Sequence, residues 1–164
     1  QLPPSFSIKK FVALENFLKS IFTEINLFIE FRHPSWFVSS EESDHAFEFF
    51  RKNKIGVLIS DTAGERNVIH MRLSKPEAFI RFVGYGLHPT DFKRIDDWAE
   101  KIEKWLNGGL EKLYFFLHND SDENEKYSPE LAAYAIDAIN KRCNLNLASP
   151  NLLDKGNAAD LFNN

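Results

Sequence analysis

Residues 29–36 read Ile29-Glu30-Phe31-Arg32-His33-Pro34-Ser35-Trp36, and this stretch decides the predicted fold. Residues 27–31 are apolar enough to form a buried strand, yet a carboxylate, a guanidinium and an imidazole follow one another within four residues. An isolated buried charge costs several kcal/mol, roughly, so these groups must be paired or exposed at the end of the strand. Pro34 ends the strand because it has no N–H to donate to a ladder. The stretch therefore predicts a strand whose carboxyl end opens into a polar site.

Composition places the chain among folded proteins of about one domain. It has 164 residues, of which 43% are hydrophobic and 14% aromatic, too apolar for a disordered chain. A net charge of −4 argues against a surface that coats nucleic acids, although a local basic patch is compatible with it. The single cysteine, Cys143, excludes an internal disulfide. With neither a signal-peptide pattern nor an apolar run of about 18 residues, we expect a cytoplasmic protein that does not contact the membrane.

Apolar runs and helical periodicity alternate along the chain. Strands are predicted at 27–31, 56–61, 78–84 and 112–117, and Gln1-Leu2 is interpreted as the last part of a further strand. Helices are predicted at 9–24, 39–54, 90–106 and 128–142. The second helix is expected to start with a capping box from Ser39 to Glu42, and the last with Ser128 as N-cap before Pro129.

Two segments carry weaker patterns. Residues 62–76 are predicted to form a long loop with a short strand or turn at 68–73, and an acidic loop follows Asp120. Single strands alternating with helices predict a parallel sheet with helical crossovers, in which functional groups gather at the carboxyl ends of the strands. Polar residues cluster at those predicted ends: Gln1, Glu30, Arg32, His33, Asp61, Arg81, His118, Asn119 and Asp120.

Five segments resemble the DUF72 (YecE-like) family in order and spacing. They are QLPPSF, IEFRHPSW, the strand that ends in Asp61, FIRFVG and FFLHND. The resemblance implies a TIM-barrel-like fold and no established activity. The chain departs from the family pattern at Val83, where a histidine is usual, and at His118, where an asparagine is frequent; Asn119 keeps the second family asparagine.

A complete TIM barrel has eight strands in about 250 residues, and five strands are predicted here. The resemblance therefore implies an incomplete α/β, TIM-barrel-like domain over 1–142, corresponding to the fourth to eighth units, the C-terminal portion of the family domain. A loosely packed tail is expected over 143–164. The chain starts at Gln1 without a methionine, as if taken from a longer protein. An open sheet exposes edges and apolar faces, so we expect self-association through them.

Proton transfer is assigned to Glu30, His33 or Asp61, the strand-end groups able to act as acids or bases. Glu30 and Arg32 share one face of the strand, so they either form a structural ion pair or line a pocket. Asp61 has the alternative role of a turn-forming residue. Trp36 either packs in the core or stacks on the ring of a ligand.

Ligand binding is assigned to Gln1, Arg32, Trp36, Arg81 and Asn119, the last because the resemblance marks it. Two arginines would make the pocket cationic and suited to a phosphate or carboxylate. Glu30, His33, Asp61, His118 and Asp120 could together hold a divalent metal, but no closely spaced pair such as HExxH supports it, so the cofactor is left open.

Two functions follow. The first is an enzyme that binds an anionic small ligand, with phosphoester hydrolysis suggested by analogy with other barrels. The second is a non-catalytic module that binds nucleic acid, or another partner, through the same cationic pocket.

Overall fold

A computed structural model describes residues 1–21 and 25–150 of the chain. Strands and helices alternate through most of this part. The strands are β1 (Phe28–Glu30), β2 (Gly56–Thr62), β3 (Glu77–Gly84) and β4 (Lys112–Asn119). The α-helices are α1 (Phe11–Ser20), α2 (Glu41–Lys52), α3 (Pro89–Asn107), α4 (Asp122–Glu125) and α5 (Ser128–Cys143), and short 3-10 helices cover Ile8–Lys10 and Pro34–Trp36.

The four strands of the described part form one open sheet in the order β1-β2-β3-β4. β1 pairs with β2 and β2 with β3 in parallel, with Glu30 opposite Leu58 and Ser60 opposite Arg81. Helix α2 connects β1 to β2, and α3 connects β3 to β4, whereas a loop alone connects β2 to β3. The predicted α/β, TIM-barrel-like architecture with an incomplete sheet is thereby confirmed.

The predicted strand at Gln1-Leu2 is absent from the described sheet. The Leu2 N–H still donates to the Glu30 carbonyl oxygen at 3.0 Å, in the manner of a backbone hydrogen bond between two strands. The pairing ends there because Pro3 and Pro4 have no N–H with which to continue it. Four strands, not five, are therefore present in the described residues.

Helix boundaries differ from the predictions by a few residues. Helix α2 is capped by Ser40, whose Oγ accepts the Ser43 N–H at 3.1 Å, so the predicted capping role of Ser39 was wrong. Ser128 lies inside α5, and Tyr127 is its N-cap. The predicted helix over 9–24 is a 3-10 turn followed by α1, and its last residues, 22–24, lie outside the described part.

The long loop predicted after β2 is present, and its segment near residue 68 is a turn and not a strand, closed by the Ile69 N–H donating to the Arg66 carbonyl at 3.3 Å. The acidic segment predicted as a loop contains α4. After α5, the Asn140 side chain donates to the Leu147 carbonyl and accepts its N–H, at 2.9 and 2.8 Å, so residues 144–147 fold back on the helix end. Residues 151–164 of the predicted tail lie outside the described residues.

The chain divides into two compact units. Unit 1 comprises the described residues of 1–83 together with 106–116, and unit 2 comprises 84–105 with the described residues from 117 onward. The core of unit 1 is aromatic and contains Phe11, Phe31, Trp36, Phe47 and Phe50. In unit 2, helices α3 and α5 pack through Phe92 against Tyr134, and Arg142 bonds Glu103 at 2.8 Å. None of the described helices has the length and apolarity that a membrane span requires.

Candidate anion-binding site

A hydrogen-bonded network joins the carboxyl-terminal halves of β1, β2 and β3 in unit 1. The Ser60 hydroxyl donates to Glu30 Oε1 at 2.7 Å. Arg81 donates to the same carboxylate twice, from Nη2 to Oε1 at 2.5 Å and from Nε to Oε2 at 3.3 Å. One residue from each of three neighbouring strands therefore meets on a single face of the sheet.

Glu30 is buried, with 5% of its surface exposed. Burial raises the pKa of its carboxyl, but the hydrogen bonds and charge of Arg81 oppose this, together with hydrogen bonds from Ser60 and from the Gln1 side chain. The net result is a Glu30 pKa below the ordinary value of a glutamate. At neutral pH the group is therefore a carboxylate that holds Arg81 in place.

A cavity of about 520 Å³ lies against this network, a volume typical of small-molecule sites. Three arginines and two glutamates line it: Arg32, Arg66, Arg81, Glu30 and Glu65. Arg32 and Arg66 are exposed, and neither forms an ion pair with a carboxylate in the described part of the chain. Because Glu30 neutralises Arg81 and Glu65 contributes a further negative charge, the five charged side chains that line the cavity leave it with a net charge of +1.

His33 and Asp61, both predicted to transfer protons, do not line this cavity. His33 Nδ1 accepts the Ser35 N–H at 3.1 Å and so caps the 3-10 helix Pro34–Trp36. Asp61 is 1% exposed and follows Ser60 on β2, so its side chain points to the opposite face of the sheet. Of the three predicted proton-transfer residues, only Glu30 faces the cavity.

Two predicted ligand contacts have structural roles instead. Trp36 is completely buried, stacks on Phe31 with ring centroids 3.9 Å apart, and donates from Nε1 to the Phe6 carbonyl at 2.7 Å. It has no surface to offer a ligand, so the predicted stacking role was wrong and the core-packing alternative holds. Asn119 lies in unit 2, where its amide accepts the Gly86 N–H and donates to Ser128.

The model of the family described as "Protein of unknown function DUF72" matches residues 1–153. The chain belongs to the DUF72 family. It is 25% identical over 136 residues to the UPF0759 protein YecE of Escherichia coli O157:H7 and to that of strain K12. These alignments cover 72% of this chain and 49% of the relatives, so the chain spans about half the length of the curated proteins it matches.

Two crystal structures of a DUF72 family protein from Enterococcus faecalis V583 share the fold. The first has a TM-score of 0.64 at 18% identity, covering 89% of this chain and 60% of that one. The second has a TM-score of 0.60 at 16% identity. These similarities show the fold of this chain and do not indicate what it binds.

Sequence reasoning missed Ser60 and Arg66. Ser60 could be assigned to the face of Glu30 only once the register of β2 was known, because alternation alone left Ser60 and Asp61 equivalent. Arg66 lies in the loop after β2, where no period marks which side chains point inward. The predicted set of metal ligands does not assemble, since no group of three or more His, Cys, Asp or Glu side chains able to hold a metal occurs in the described residues.

Proposed function

We propose that this DUF72 chain binds a small phosphate-bearing ligand in the cavity over β1, β2 and β3. The observation that carries the proposal is the pair of exposed arginines, Arg32 and Arg66, lining one cavity without carboxylate partners in the described residues. The third arginine, Arg81, is held by Glu30 and forms part of the cavity wall. Glu65 offsets only one of these two charges, so an anion entering the cavity balances the positive charge that remains.

Phosphate fits this arrangement better than carboxylate does. A phosphate monoester presents three terminal oxygens and up to two charges, so it can accept hydrogen bonds from two guanidinium groups at once. A carboxylate is planar and is satisfied by a single arginine fork. Thr62 and Asn67 also line the cavity and add neutral donors for the remaining oxygens.

The geometry favours binding over hydrolysis of a phosphoester. A carboxylate whose pKa is lowered and whose oxygens already accept bonds from Ser60 and Arg81 is a weak general base. Nor do the other two groups predicted to transfer protons line the cavity. The predicted proton-transfer set therefore gives no support to catalysis here.

Titration with pyrophosphate, methyl phosphate and acetate, followed by calorimetry or by amide chemical shifts, tests the proposal. We expect saturable binding of the two phosphates and weaker binding of acetate. Arg32→Ala or Arg66→Ala should each weaken phosphate binding about tenfold, since hydrogen bonds to charged groups contribute roughly 1.5–3 kcal/mol. Arg51→Ala removes an exposed arginine of α2 outside the cavity and should leave the affinity unchanged. Absence of saturable phosphate binding to the unmodified chain would overturn the proposal.

A single-stranded oligonucleotide in the same assay distinguishes the nucleic-acid alternative. Oligonucleotide binding with a steep salt dependence, without saturation by small phosphates, would replace the proposal with a nucleic-acid-binding function. If the chain hydrolyses the oligonucleotide or methyl phosphate, and Glu30→Gln abolishes this activity, the enzymatic alternative would replace the proposal.

A further inference from the structure

The cavity wall that carries Arg66 is irregular chain. Residues 63–76 connect β2 to β3 without a helix or strand, and residues 64–68 line the cavity. The first end of this segment is fixed by a turn in which the Glu65 N–H donates to the Thr62 carbonyl at 3.1 Å, with Gly64 at a φ of +79°. The position of Arg66 therefore depends on where the other end is fixed.

His70 is the first buried side chain after the lining residues. Its Nε2 lies 3.1 Å from the Leu58 carbonyl oxygen, to which the Nε2–H tautomer donates. The imidazole stacks on Phe37 with ring centroids 4.2 Å apart and meets the edge of Phe47 at 6.2 Å. Only 6% of the residue is exposed. The hydrogen bond holds His70 against β2, and the ring contact with Phe47 holds it against α2.

Two further anchors follow His70 in the same segment. The Arg72 guanidinium lies 3.8 Å from the Phe47 ring centroid and donates to Ser43 and Asp44 of α2. The Ser74 hydroxyl donates to the Ile55 carbonyl at 2.6 Å and accepts the Val57 N–H. Because these anchors lie beyond His70, they keep the segment attached if His70 is lost, while the wall itself becomes a longer free loop.

We propose that His70 is a positioning residue of the anion site: its ring hydrogen bond and stack set the loop that presents Arg66 to the cavity. This inference rests on the proposed function. With His70 in place, the wall spans the seven residues between Thr62 and His70; without it, the next anchor is Arg72 and the wall spans nine. A longer loop samples more conformations, so more order is lost when the ligand binds.

Two substitutions separate the contributions of the ring and of the donor. His70→Phe keeps an aromatic ring against Phe37 and removes the Nε2–H donor. His70→Gln places an amide donor at a similar reach and removes the ring. Hydrogen exchange of amides 63–69 in the ligand-free chain reports the order of the wall, and pyrophosphate titration reports the site.

We expect His70→Phe to raise the exchange rates of amides 63–69 severalfold and to weaken pyrophosphate binding about threefold. His70→Gln should recover much of both effects, and a rescue by the conservative donor would not follow from lost core packing. Leu14→Val, a core substitution on α1, is the matched control and should leave the affinity unchanged. Unchanged exchange in His70→Phe, or raised exchange with unchanged affinity, would overturn this inference and leave the proposed function standing. Absence of pyrophosphate binding to the unmodified chain would overturn the proposed function first.

Discussion

At the scale of single residues, the burial of His70 makes the stability of the folded chain depend on pH. Burial lowers its pKa to about 4, with the Arg72 guanidinium acting in the same direction, although the Leu58 and Arg72 carbonyls oppose the shift. The folded-state value lies below the usual 6.5 of an unfolded histidine, so unfolding takes up a proton between these values. Stability from a neutral His70 is therefore present above pH 6.5 and is lost as the pH falls toward 4.

We expect the unfolding free energy of the unmodified chain to fall between pH 6.5 and 4 by about 3 kcal/mol more than that of His70→Gln, since one pKa unit corresponds to roughly 1.4 kcal/mol. Urea denaturation at a series of pH values measures this difference, and acidic groups common to both proteins cancel in the comparison. Parallel curves for the two proteins would show that His70 does not take up the proton.

The ion pair at the cavity shows what could be predicted about single residues. The sequence placed Glu30 and Arg32 on one face, and both line the cavity. Whether these two residues pair with each other was left open. Glu30 instead pairs with Arg81, which lies 51 positions further along the chain. The alternation of side chains along a strand is local information, whereas the partner depends on the order and register of the sheet. Long-range pairing is therefore the part that the sequence pattern left undetermined.

At the scale of elements, the N-cap of α2 gives a sharp test of a boundary. Ser40 Oγ accepts the Ser43 N–H, whereas the neighbouring Ser39 is exposed and lies outside the helix. Ser40→Ala should lower the unfolding free energy by about 1 kcal/mol, the typical effect of removing a serine N-cap. Ser39→Ala is the matched control, with an expected change within about 0.5 kcal/mol. Equal losses of unfolding free energy in the two variants, measured by urea denaturation, would show that Ser40 is not the particular cap of α2.

Element types were easier to predict than element ends. The four strands at 28–30, 56–62, 77–84 and 112–119 and the long helices were all expected, because their apolar periods are strong. The ends depend on single hydrogen bonds, such as the choice between two adjacent serines, which a pattern of residue types does not distinguish. The short helix α4 was missed because it buries no residue and so has no apolar period.

At the scale of the whole molecule, the open sheet presents an aromatic surface on the cavity side. Phe28 and Phe79 precede Glu30 and Arg81 by two residues and therefore share their face. Their rings lie 5.3 Å apart, and Phe79 stacks on Phe116 at 4.9 Å, yet Phe116 is 56% exposed. Faces of parallel sheets are normally covered, and in a closed barrel this face is the interior. Here the aromatic part of the face is partly open to solvent.

This aromatic surface supports the expectation of self-association, with a second copy of the chain as the partner. Burying an exposed phenylalanine ring contributes roughly 1.5–3 kcal/mol, and two copies meeting through the surface bury two such rings. We expect a concentration-dependent dimer in sedimentation velocity, weakened at least tenfold by Phe116→Ser. Phe17→Ser on α1 is the matched control, because Phe17 is 57% exposed and makes no ring contact with another described residue. Dimerisation that is equally sensitive to Phe17→Ser would place the interface on the helices, and a monomer at every concentration would show that the aromatic surface is not self-complementary.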